Sequence, residues 1–288
     1  MEPLPSHSGL PGSLSAHQRE YSMRTATGLR LSARLAQIWS RRDVLYMFIS
    51  RGLKVKYASS VLGYAWSLIE PALFIGIYFV VFGRIFPNKT HHYPLFIAST
   101  ILPWLWFNST VLQSLGALRT NARLITSIAL PREIYPLTVV GEKFIEFLLS
   151  LPVLLAVAAF YETKPSRYLF AFPLAVLLEL MLVTGVALFI AALNTILRDV
   201  QRGIGVVLRL FFYLTPVLYA VKKIHGTLRH FYELNPLVGI FELFRAPWFP
   251  NDFGDWRAVY ISIIGSILTL VLGWLVFIRL ERSVLKEL

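Results

Sequence analysis

Apolar residues fall in long blocks along this chain, not in the interrupted periodicity of a soluble domain. A helix needs about 20 mainly apolar residues to cross roughly 30 Å of hydrocarbon. Six blocks approach that length: 61–82, 93–115, 138–160, 169–193, 203–221 and 258–278. Only helices and closed barrels satisfy their backbone groups in lipid, and blocks without strict alternation exclude a barrel. The pattern predicts an all-α integral membrane protein with six transmembrane helices.

Three details modify these spans. Pro216 interrupts the fifth block soon after Arg209, so we expect that span to be short or bent. Glu179 lies deep in the fourth block, where an ionisable group is expected to contact another helix or a polar conduit. Residues 222–257 are too polar and proline-broken to span, yet 237–244 are strongly apolar. This favours two short re-entrant helices in the outer leaflet, with a surface cap as the alternative.

The start of the first block admits two interpretations. We favour a helix that begins at Pro71, which places Glu70 near the headgroups and leaves Gly63, Tyr64 and Trp66 in a separate short helix or turn. In the alternative the helix begins near residue 61. Glu70 then lies at depth and faces the bundle interior or a watery cavity.

Residues before the first span divide into two regions. Positions 34–57 combine apolar and basic residues in the manner of an amphipathic helix lying in the interface plane. Such a helix can be a simple anchor, or it can form the lateral wall or gate of a substrate entrance. Residues 1–31 contain no apolar signal region and predict a disordered cytoplasmic tail. The predicted regions are therefore 1–31, an interface or gate region 32–60, and a six-span domain 61–288.

Between the second and third spans lies a short basic amphipathic insert, 119–137. Its apolar residues share one face of a helix, and its polar residues lie largely off that face. The apolar set is Leu124, Ile125, Ile128 and Ala129, and the polar set is Arg119, Asn121, Arg123 and Ser127. Pro131 and Glu133 then suit the first turn of the next helix. We expect a helix on the cytoplasmic membrane face that presents a surface to a soluble partner.

The distribution of basic residues supports one orientation of the chain in the membrane. The chain has 288 residues, 56% hydrophobic and 15% charged, with a net charge of +12. Placing both termini in the cytoplasm puts 19 of the 28 Lys and Arg residues inside and nine outside. The net charge is thus explained by topology and by attraction to anionic membrane lipids, and a nucleic-acid partner is not expected.

The sequence lacks the residues that several kinds of site require. There is no cysteine, so disulfides and cysteine-ligated metals are absent, and no phosphate loop, H-E-x-x-H or G-x-S-x-G motif occurs. A membrane-embedded glycosyl- or acyltransferase would need a catalytic histidine or a carboxylate pair. The candidate pair at the membrane face is Glu142 and Glu146, and the intervening Lys143 favours a structural ion pair. We expect no catalytic site, no metal and no cofactor in this chain. If transport is powered by ATP, another polypeptide binds the ATP and magnesium and hydrolyses the ATP.

Aromatic residues crowd the first and fifth spans. Interfacial belts and lipid-facing positions are the ordinary explanation. Aromatic faces also stack on sugar rings, so a conduit lined in this way would let a glycan slide without holding it at one point. The candidate conduit residues are Tyr64, Trp66, Phe74, Tyr78, Phe82, Phe211, Tyr213 and Tyr219.

Seven short motifs, in order from about Arg41 to the C-terminus, resemble the permeases of ABC-2 type exporters of polysaccharides and lipid-linked glycans. They are Val61-Leu62-Gly63-Tyr64-Ala65-Trp66, Glu70-Pro71, Leu102-Pro103-Trp104, Leu130-Pro131-Arg132-Glu133-Ile134-Tyr135-Pro136-Leu137, Asn194 with Arg198-Asp199-Val200, Leu214-Thr215-Pro216-Val217 and Leu234-Asn235-Pro236-Leu237. No single motif is decisive, but their joint order and spacing make coincidence an unsatisfactory explanation.

The resemblance implies a bacterial plasma-membrane homodimer of six-span subunits, paired with two copies of a separate nucleotide-binding ATPase subunit. It implies a coupling helix at about 120–131, which docks on the ATPase, and short re-entrant helices at 224–255. The implied cargo is O-antigen, teichoic acid, capsule or cell-wall glycan on a polyprenyl pyrophosphate or another lipid. The implied coupling residues are Asn121, Arg123, Leu124, Ile125, Ile128, Leu130, Arg132 and Glu133.

One further hypothesis concerns the cytoplasmic entrance. Clustered positive charge at headgroup depth draws anions, so Arg51, Lys54 and Lys56 are expected to attract the lipid pyrophosphate. Plain binding to anionic lipids is the alternative. Rival functions for the whole chain are an ABC-2 exporter of drugs or small lipids, a membrane-embedded transferase, and a non-catalytic scaffold or channel subunit.

Overall fold

A computed structural model describes residues 31–58, 60–85, 91–128, 130–197, 199–224 and 226–287 of the chain. The described ranges contain twelve α-helices and no strand. They are α1 (Leu31–Ser40), α2 (Arg42–Ala58), α3 (Trp66–Phe79), α4 (Tyr93–Ser114), α5 (Ala117–Thr120), α6 (Ala122–Ser127), α7 (Ile134–Phe160), α8 (Phe172–Ile196), α9 (Asp199–Leu214), α10 (Thr227–Glu233), α11 (Pro236–Arg245) and α12 (Trp256–Glu287). The predicted all-α class is confirmed. The predicted tail lies almost wholly outside the described residues.

Within the described residues, five helical stretches are long and apolar enough to cross a membrane. They are Gly63–Phe82, Tyr93–Ser114, Ile134–Phe160, Arg167–Ile196 and Trp256–Glu281. They correspond to the first four predicted spans and the last. The third is longer than predicted, because α7 begins at Ile134, directly after the turn formed by Pro131, Arg132 and Glu133.

The predicted fifth span differs most from the structure. Its helix, α9, has 16 residues, which gives about 24 Å at 1.5 Å per residue. It begins four residues before the predicted start, with Asp199 in a first turn where an acidic group favours the helix dipole. It ends at Leu214, and a turn containing Pro216 follows. A short span was expected from Pro216, and the helix is indeed short.

The favoured start of the first span is wrong. Helix α3 begins at Trp66, so Pro71 lies inside it. Gly63 and Tyr64 lie in a 3-10 turn, Gly63–Ala65, as expected, but Trp66, which was assigned to the same turn, is the first residue of α3. The side chain of Ser67, in the first turn, lies 2.7 Å from the Tyr57 hydroxyl of α2. This buried hydrogen bond fixes a turn that sequence could not reveal. Proline inside a membrane helix is tolerated where neighbouring groups compensate for its missing donor.

The bundle is organised around α4, which is the most buried of the five long stretches. The closest helix pair is α8 with α12. A β-carbon added to Gly185 of α8 would lie 2.4 Å from the Thr269 carbonyl oxygen of α12, and one added to Gly273 would lie 2.1 Å from the Gly185 carbonyl oxygen. Small residues thus allow these two backbones to touch, as is common between membrane helices.

The segment between α9 and α12 forms the two short helices that the sequence predicted, α10 and α11. Helix α11 is buried along its whole length from Leu237 to Arg245. Asn235 caps its start, accepting a hydrogen bond from the Leu237 amide at 3.0 Å. Helix α11 is therefore part of the bundle interior. Its depth in a membrane stays a prediction.

By internal contacts the chain divides at Arg41 into two units, 1–41 and 42–288. The predicted amphipathic helix is two helices, α1 in the first unit and α2 in the second. The carbonyl of Ile38 accepts a hydrogen bond from the Arg41 amide where α1 ends. An orientation in the plane of the membrane interface stays a prediction for both.

Candidate functional site

The coupling segment, defined as residues 117–133, consists of two short helices and a turn. Helix α5 ends at Thr120, and the Asn121 side chain donates a hydrogen bond to the Ala117 carbonyl at 2.8 Å. Helix α6 ends at Ser127, after which Ile128 has an extended backbone. Extended geometry at Ile128 separates α6 from the Pro131 turn, so the predicted order of helix, break and new helix is present.

The apolar face of the coupling segment is divided between the protein interior and the surface. Ile125 is buried in a cluster with Leu118, Tyr135 and Phe277, whereas Ile128 is 47% exposed. Leu124 is half-buried, and Leu130 is also half-buried. The remaining apolar residue of the predicted face, Ala129, lies outside the described residues. Packing inside the subunit therefore uses part of the face that the sequence assigned to a partner.

Polar contacts attach the coupling segment to two spanning helices. The Arg132 guanidinium donates a hydrogen bond to the Glu281 carboxylate of α12 at 2.5 Å, and both side chains are 14% exposed. The Arg119 guanidinium donates to the Thr195 carbonyl near the end of α8 at 3.0 Å. The adjacent Asn194 side chain donates to the Leu115 carbonyl at 2.7 Å. These contacts link the coupling segment to the ends of α8 and α12.

The other predicted coupling residues lie in contrasting positions. Arg123 is exposed on α6, whereas Glu133 is buried at the start of α7. Arg123 and Ile128 are therefore the members of the predicted set whose side chains are open to a partner. Arg132 and Glu133 belong to the internal structure that positions the segment.

The predicted conduit residues do not form one continuous lining within a single subunit. On one side, Tyr78 stacks on Phe82 at a ring-centroid distance of 6.2 Å and meets Phe212 of α9 at 6.3 Å. Phe211 instead packs against Trp104 and Phe107 of α4, both at 6.3 Å. These contacts join the ends of α3 and α9 through aromatic rings. Phe212 and Trp104, 5.2 Å apart, were not in the predicted set.

The remaining conduit residues lie elsewhere. Tyr64 is at the opposite end of α3, where its ring lies 4.5 Å from that of Tyr57. Trp66, Phe74 and Tyr213 are exposed on the single subunit. The Tyr219 hydroxyl donates to the Tyr213 carbonyl at 2.9 Å, in the turn that follows α9. The set is therefore a mixture of packed and open aromatic side chains.

Helix α2 lies along the first half of α7, running in the same direction. Phe48 stacks with Tyr135 at 6.0 Å. A β-carbon on Gly141 would lie 2.3 Å from the Ile49 Cδ1 atom, and one on Gly52 would lie 1.7 Å from Glu142 Oε1. The two glycines thus allow the helices to approach closely enough for their charged residues to meet.

The charged cluster, defined as Lys56, Lys143 and Glu146, is the result of that approach. The Glu146 carboxylate receives Lys56 at 2.5 Å on one oxygen and Lys143 at 2.9 Å on the other. Burial alone would lower the pKa of Lys56. The hydrogen bond that Lys56 donates to Glu146, together with the negative charge of Glu146, raises that pKa above its ordinary value. Of the three predicted entrance cations, Arg51 and Lys54 are exposed, while Lys56 is already paired.

A cavity of about 170 Å³ adjoins the charged cluster, between α2, α3, α4 and α7. Its polar lining comprises Lys56, Ser67, Glu70, Asn108, Ser109, Lys143, Glu146 and Ser150. Glu70 therefore lies beside a cavity, as in the less favoured sequence interpretation. Sequence reasoning identified the Lys143–Glu146 pair by its helical spacing, but it missed Asn108 and the cavity, because the lining comes from four separate helices.

Further buried ionisable residues lie outside these regions, and Glu179 and Arg245 are two of them. Glu179 is fully enclosed in α8, and neither carboxylate oxygen has a hydrogen-bond partner among the described residues. Arg245, at the end of α11, donates to the Pro216 carbonyl at 2.9 Å and lies 3.8 Å from the centre of the Phe96 ring. In the sequence, Arg245 is one basic residue of a segment that was not expected to span the membrane. In the structure, its contacts hold the turn after α9.

Comparisons with known proteins cover most of these features. Residues 44–249 match the ABC-2 type transporter membrane family. The O-antigen export system permease protein RfbA of Klebsiella pneumoniae is 33% identical over 243 residues, which is 83% of this chain and 92% of the relative. RfbA of Myxococcus xanthus is 28% identical over 221 residues, 76% of this chain and 85% of the relative. The polysialic acid transport protein KpsM of Escherichia coli is 21% identical over 250 residues, 82% of this chain and 93% of the relative. The matched family spans the coupling segment, the cavity and the α9–α11 region, and the chain belongs to the ABC-2 type transporters.

Proposed function

We propose that this chain is the membrane permease subunit of an ATP-driven exporter that moves a lipid-linked polysaccharide across the bacterial plasma membrane. The observation that carries the proposal is the 33% identity to an O-antigen export permease over 92% of that relative's length. The similarity to KpsM, a polysialic acid transport protein, supports a polysaccharide as the cargo class. The chain acts as a transporter subunit, and ATP hydrolysis belongs to a separate nucleotide-binding partner.

The proposed assembly is a homodimer in which α9 and its following turn form the sixth crossing. Only Leu208 of α9 is buried in the single subunit, and the exposed residues include Val206, Val207 and Leu210. An apolar helix surface of this kind needs lipid or a second protein surface. A second copy that covers α3 and α9 would enclose a path between the subunits. The exposed Trp66, Phe74 and Tyr213 then become candidates for its walls.

Coupling to the ATPase is assigned to the exposed part of the coupling segment, Arg123 and Ile128. A short apolar side chain beside a cation suits a cleft on a soluble partner, since interface centres favour apolar contacts and arginine. Arg132 and Arg119 then convert a push on the segment into a displacement of α12 and α8. Rigid-body movement of subunits or domains about an interface is a known class of conformational transition.

At the entrance, the proposal for lipid pyrophosphate rests on Arg51 and Lys54. Both are exposed on α2, whereas the charge of Lys56 is offset by Glu146. Neutralising Arg51 and Lys54 together is expected to reduce export while leaving membrane insertion unchanged. Unchanged export would contradict the entrance assignment without affecting the cargo assignment.

The direct test of cargo is depletion of this chain in its native cell. We expect loss of surface polysaccharide and accumulation of the lipid-linked glycan inside the cell. A matched measurement of small-lipid and drug efflux separates the rival exporter class, because that class predicts altered efflux with normal surface polysaccharide. Co-purification with a nucleotide-binding subunit, and ATPase activity only in the complex, separates an exporter from a transferase or a scaffold.

A further inference from the structure

We propose that the cavity beside the charged cluster is a binding site for a neutral, hydroxyl-rich group, namely one sugar residue of the cargo. This inference rests on the proposed function for the source of the ligand. The cavity itself, about 170 Å³ between α2, α3, α4 and α7, is independent of that function. It is smaller than the roughly 300 Å³ at which pockets for drug-sized ligands begin. The cavity is therefore large enough for one small polar group.

The charge around the cavity selects against an anion. Its ionisable lining consists of two ammonium groups, Lys56 and Lys143, and two carboxylates, Glu146 and Glu70. Both ammonium groups already contact Glu146, at 2.5 and 2.9 Å. A phosphate or pyrophosphate entering here would find no excess of positive charge, because two carboxylates balance the two ammonium groups. Like charges at close range in a partly desolvated site are costly, so the lining disfavours a phosphate.

The same lining disfavours an acyl chain. Lys143 has only 8% of its side chain exposed and cannot reach bulk water by extending. Hydrocarbon placed against a buried ammonium and carboxylate would leave their remaining hydrogen-bonding capacity unused, which costs free energy. The occupant must both donate and accept hydrogen bonds.

A sugar ring meets both requirements. Its hydroxyl groups can donate to the Glu70 carboxylate, which protrudes from α3, and can accept from the Asn108 amide or the ammonium groups. Leu102, Leu105 and Phe147 supply an apolar wall for the C–H face of the ring. Hydrogen bonds to charged groups are the stronger class, so the carboxylate contributes most to affinity. A lipid glycerol headgroup carries the same diol chemistry, and the experiment below distinguishes the two sources.

The test uses the full chain with its ATPase partner in nanodiscs that contain no glycosylated lipid. Saturation-transfer difference NMR measures binding of methyl α-D-glucoside and glycerol, and inorganic pyrophosphate is added as a competitor of the glucoside. We expect glucoside binding, little response to glycerol at the same concentration, and no competition from pyrophosphate. Glu70→Gln and Asn108→Leu should each weaken glucoside binding by about tenfold. The matched control is Glu162→Gln, the same change at an exposed carboxylate outside the cavity, which should leave binding unchanged.

Each alternative result has a defined meaning. An equal response to glycerol assigns the site to a lipid headgroup, and displacement of the glucoside by pyrophosphate assigns it to an anion; either overturns the proposal. Glucoside binding that is unchanged in both variants also overturns it. Thermal melting of each variant excludes unfolding as the cause of lost binding. A separate export assay tests the function: polysaccharide export without glucoside binding refutes only this site, whereas binding without export refutes only the cargo assignment.

Discussion

Two ends of the bundle each hold a non-spanning segment through an arginine, but the two arginines are set in different surroundings. Arg132 holds the coupling segment to one carboxylate, Glu281, and both side chains remain 14% exposed. Arg245 is 3% exposed and donates to the carbonyls of Pro216 and Tyr219, with Phe96 beneath its guanidinium. A single carboxylate near the surface can be released to water and regained. Several buried carbonyls cannot, since they would lose their donor inside the bundle.

The difference teaches which end is built to move. The turn after α9 contains Pro216, which cannot continue the helical hydrogen-bond ladder, so the broken backbone depends on Arg245 for its partners. The coupling segment makes backbone hydrogen bonds within α5 and α6, and side chains attach it to α8 and α12. We infer a fixed α10–α11 end and an adjustable coupling end.

The largest expected effect tests the fixed end. Arg245→Leu removes the donor of several buried carbonyls, and we expect a loss of stability of about 3–5 kcal/mol, comparable to breaking a buried charged contact. Melting of the detergent-solubilised chain, followed by fluorescence-detected size exclusion, measures it. Arg257→Gln, at a mostly exposed arginine of the same region, is the control and should change stability by less than about 1 kcal/mol. Equal melting temperatures for the two variants would remove the distinction between the ends.

A second comparison lies within the coupling segment. Ile125→Ser opens a buried position and is expected to destabilise the subunit by about 2–4 kcal/mol. Ile128→Ser changes an exposed position, so melting should stay within about 0.5 kcal/mol of the parent. Association with the ATPase, measured by co-purification, should fall for Ile128→Ser. Normal association in that variant would show that the partner does not use this surface.

The attachment of the coupling segment to α12 gives a third prediction. Arg132→Ala should lower export by about tenfold, equivalent to about 1.4 kcal/mol, while ATPase activity in the complex continues. The exchange of both charges, Arg132→Glu with Glu281→Arg, should recover a large part of export if the contact itself transmits movement. Export assays and ATPase assays on the same preparations separate coupling from assembly. If the double variant, Arg132→Glu with Glu281→Arg, exports as poorly as Arg132→Ala, then the contact between these two residues does not transmit the movement.

The smallest effect concerns the charged cluster. Lys56→Gln should cost less than about 1 kcal/mol, because Lys56 is half-exposed and Glu146 keeps Lys143 as its partner. Glu146→Gln should cost more, since it leaves the buried Lys143 without its carboxylate. Chemical denaturation of the two variants in the same detergent compares them. If Lys56→Gln lowers the free energy of unfolding more than Glu146→Gln does, then Glu146 does not pair with Lys143 in addition to Lys56.

Local pattern predicted the spans well and the contacts poorly. The length of the apolar blocks predicted the bounds of the first four spans and of the last span to within a few residues. About 20 apolar residues are enough to cross the membrane, and this length does not depend on which residues they contact. It could not place Pro71 inside α3, because the turn before it is fixed by Tyr57 of another helix. Nor could helical projection show that Ile125 faces inward, since a short amphipathic helix has one apolar face for either the bundle or a partner.

The candidate site shows the same division. Sequence identified the coupling segment, the absence of a phosphate loop and the aromatic richness of the α3 and α9 regions. It assigned Lys56 to a cationic entrance, but its partner is 90 residues away and was out of reach of any local spacing rule. The cavity required four helices to be in place before its lining existed.

By itself, then, the sequence determined the all-helical membrane class, the order of its elements and the family, since hydrophobic length and motif order are properties of the chain alone. Only the tertiary structure decided which charges are neutralised, which apolar side chains remain open to a partner, and which arginine is fixed. Those outcomes depend on the distances between groups far apart in the chain, and both desolvation and Coulomb energy change steeply with distance and burial.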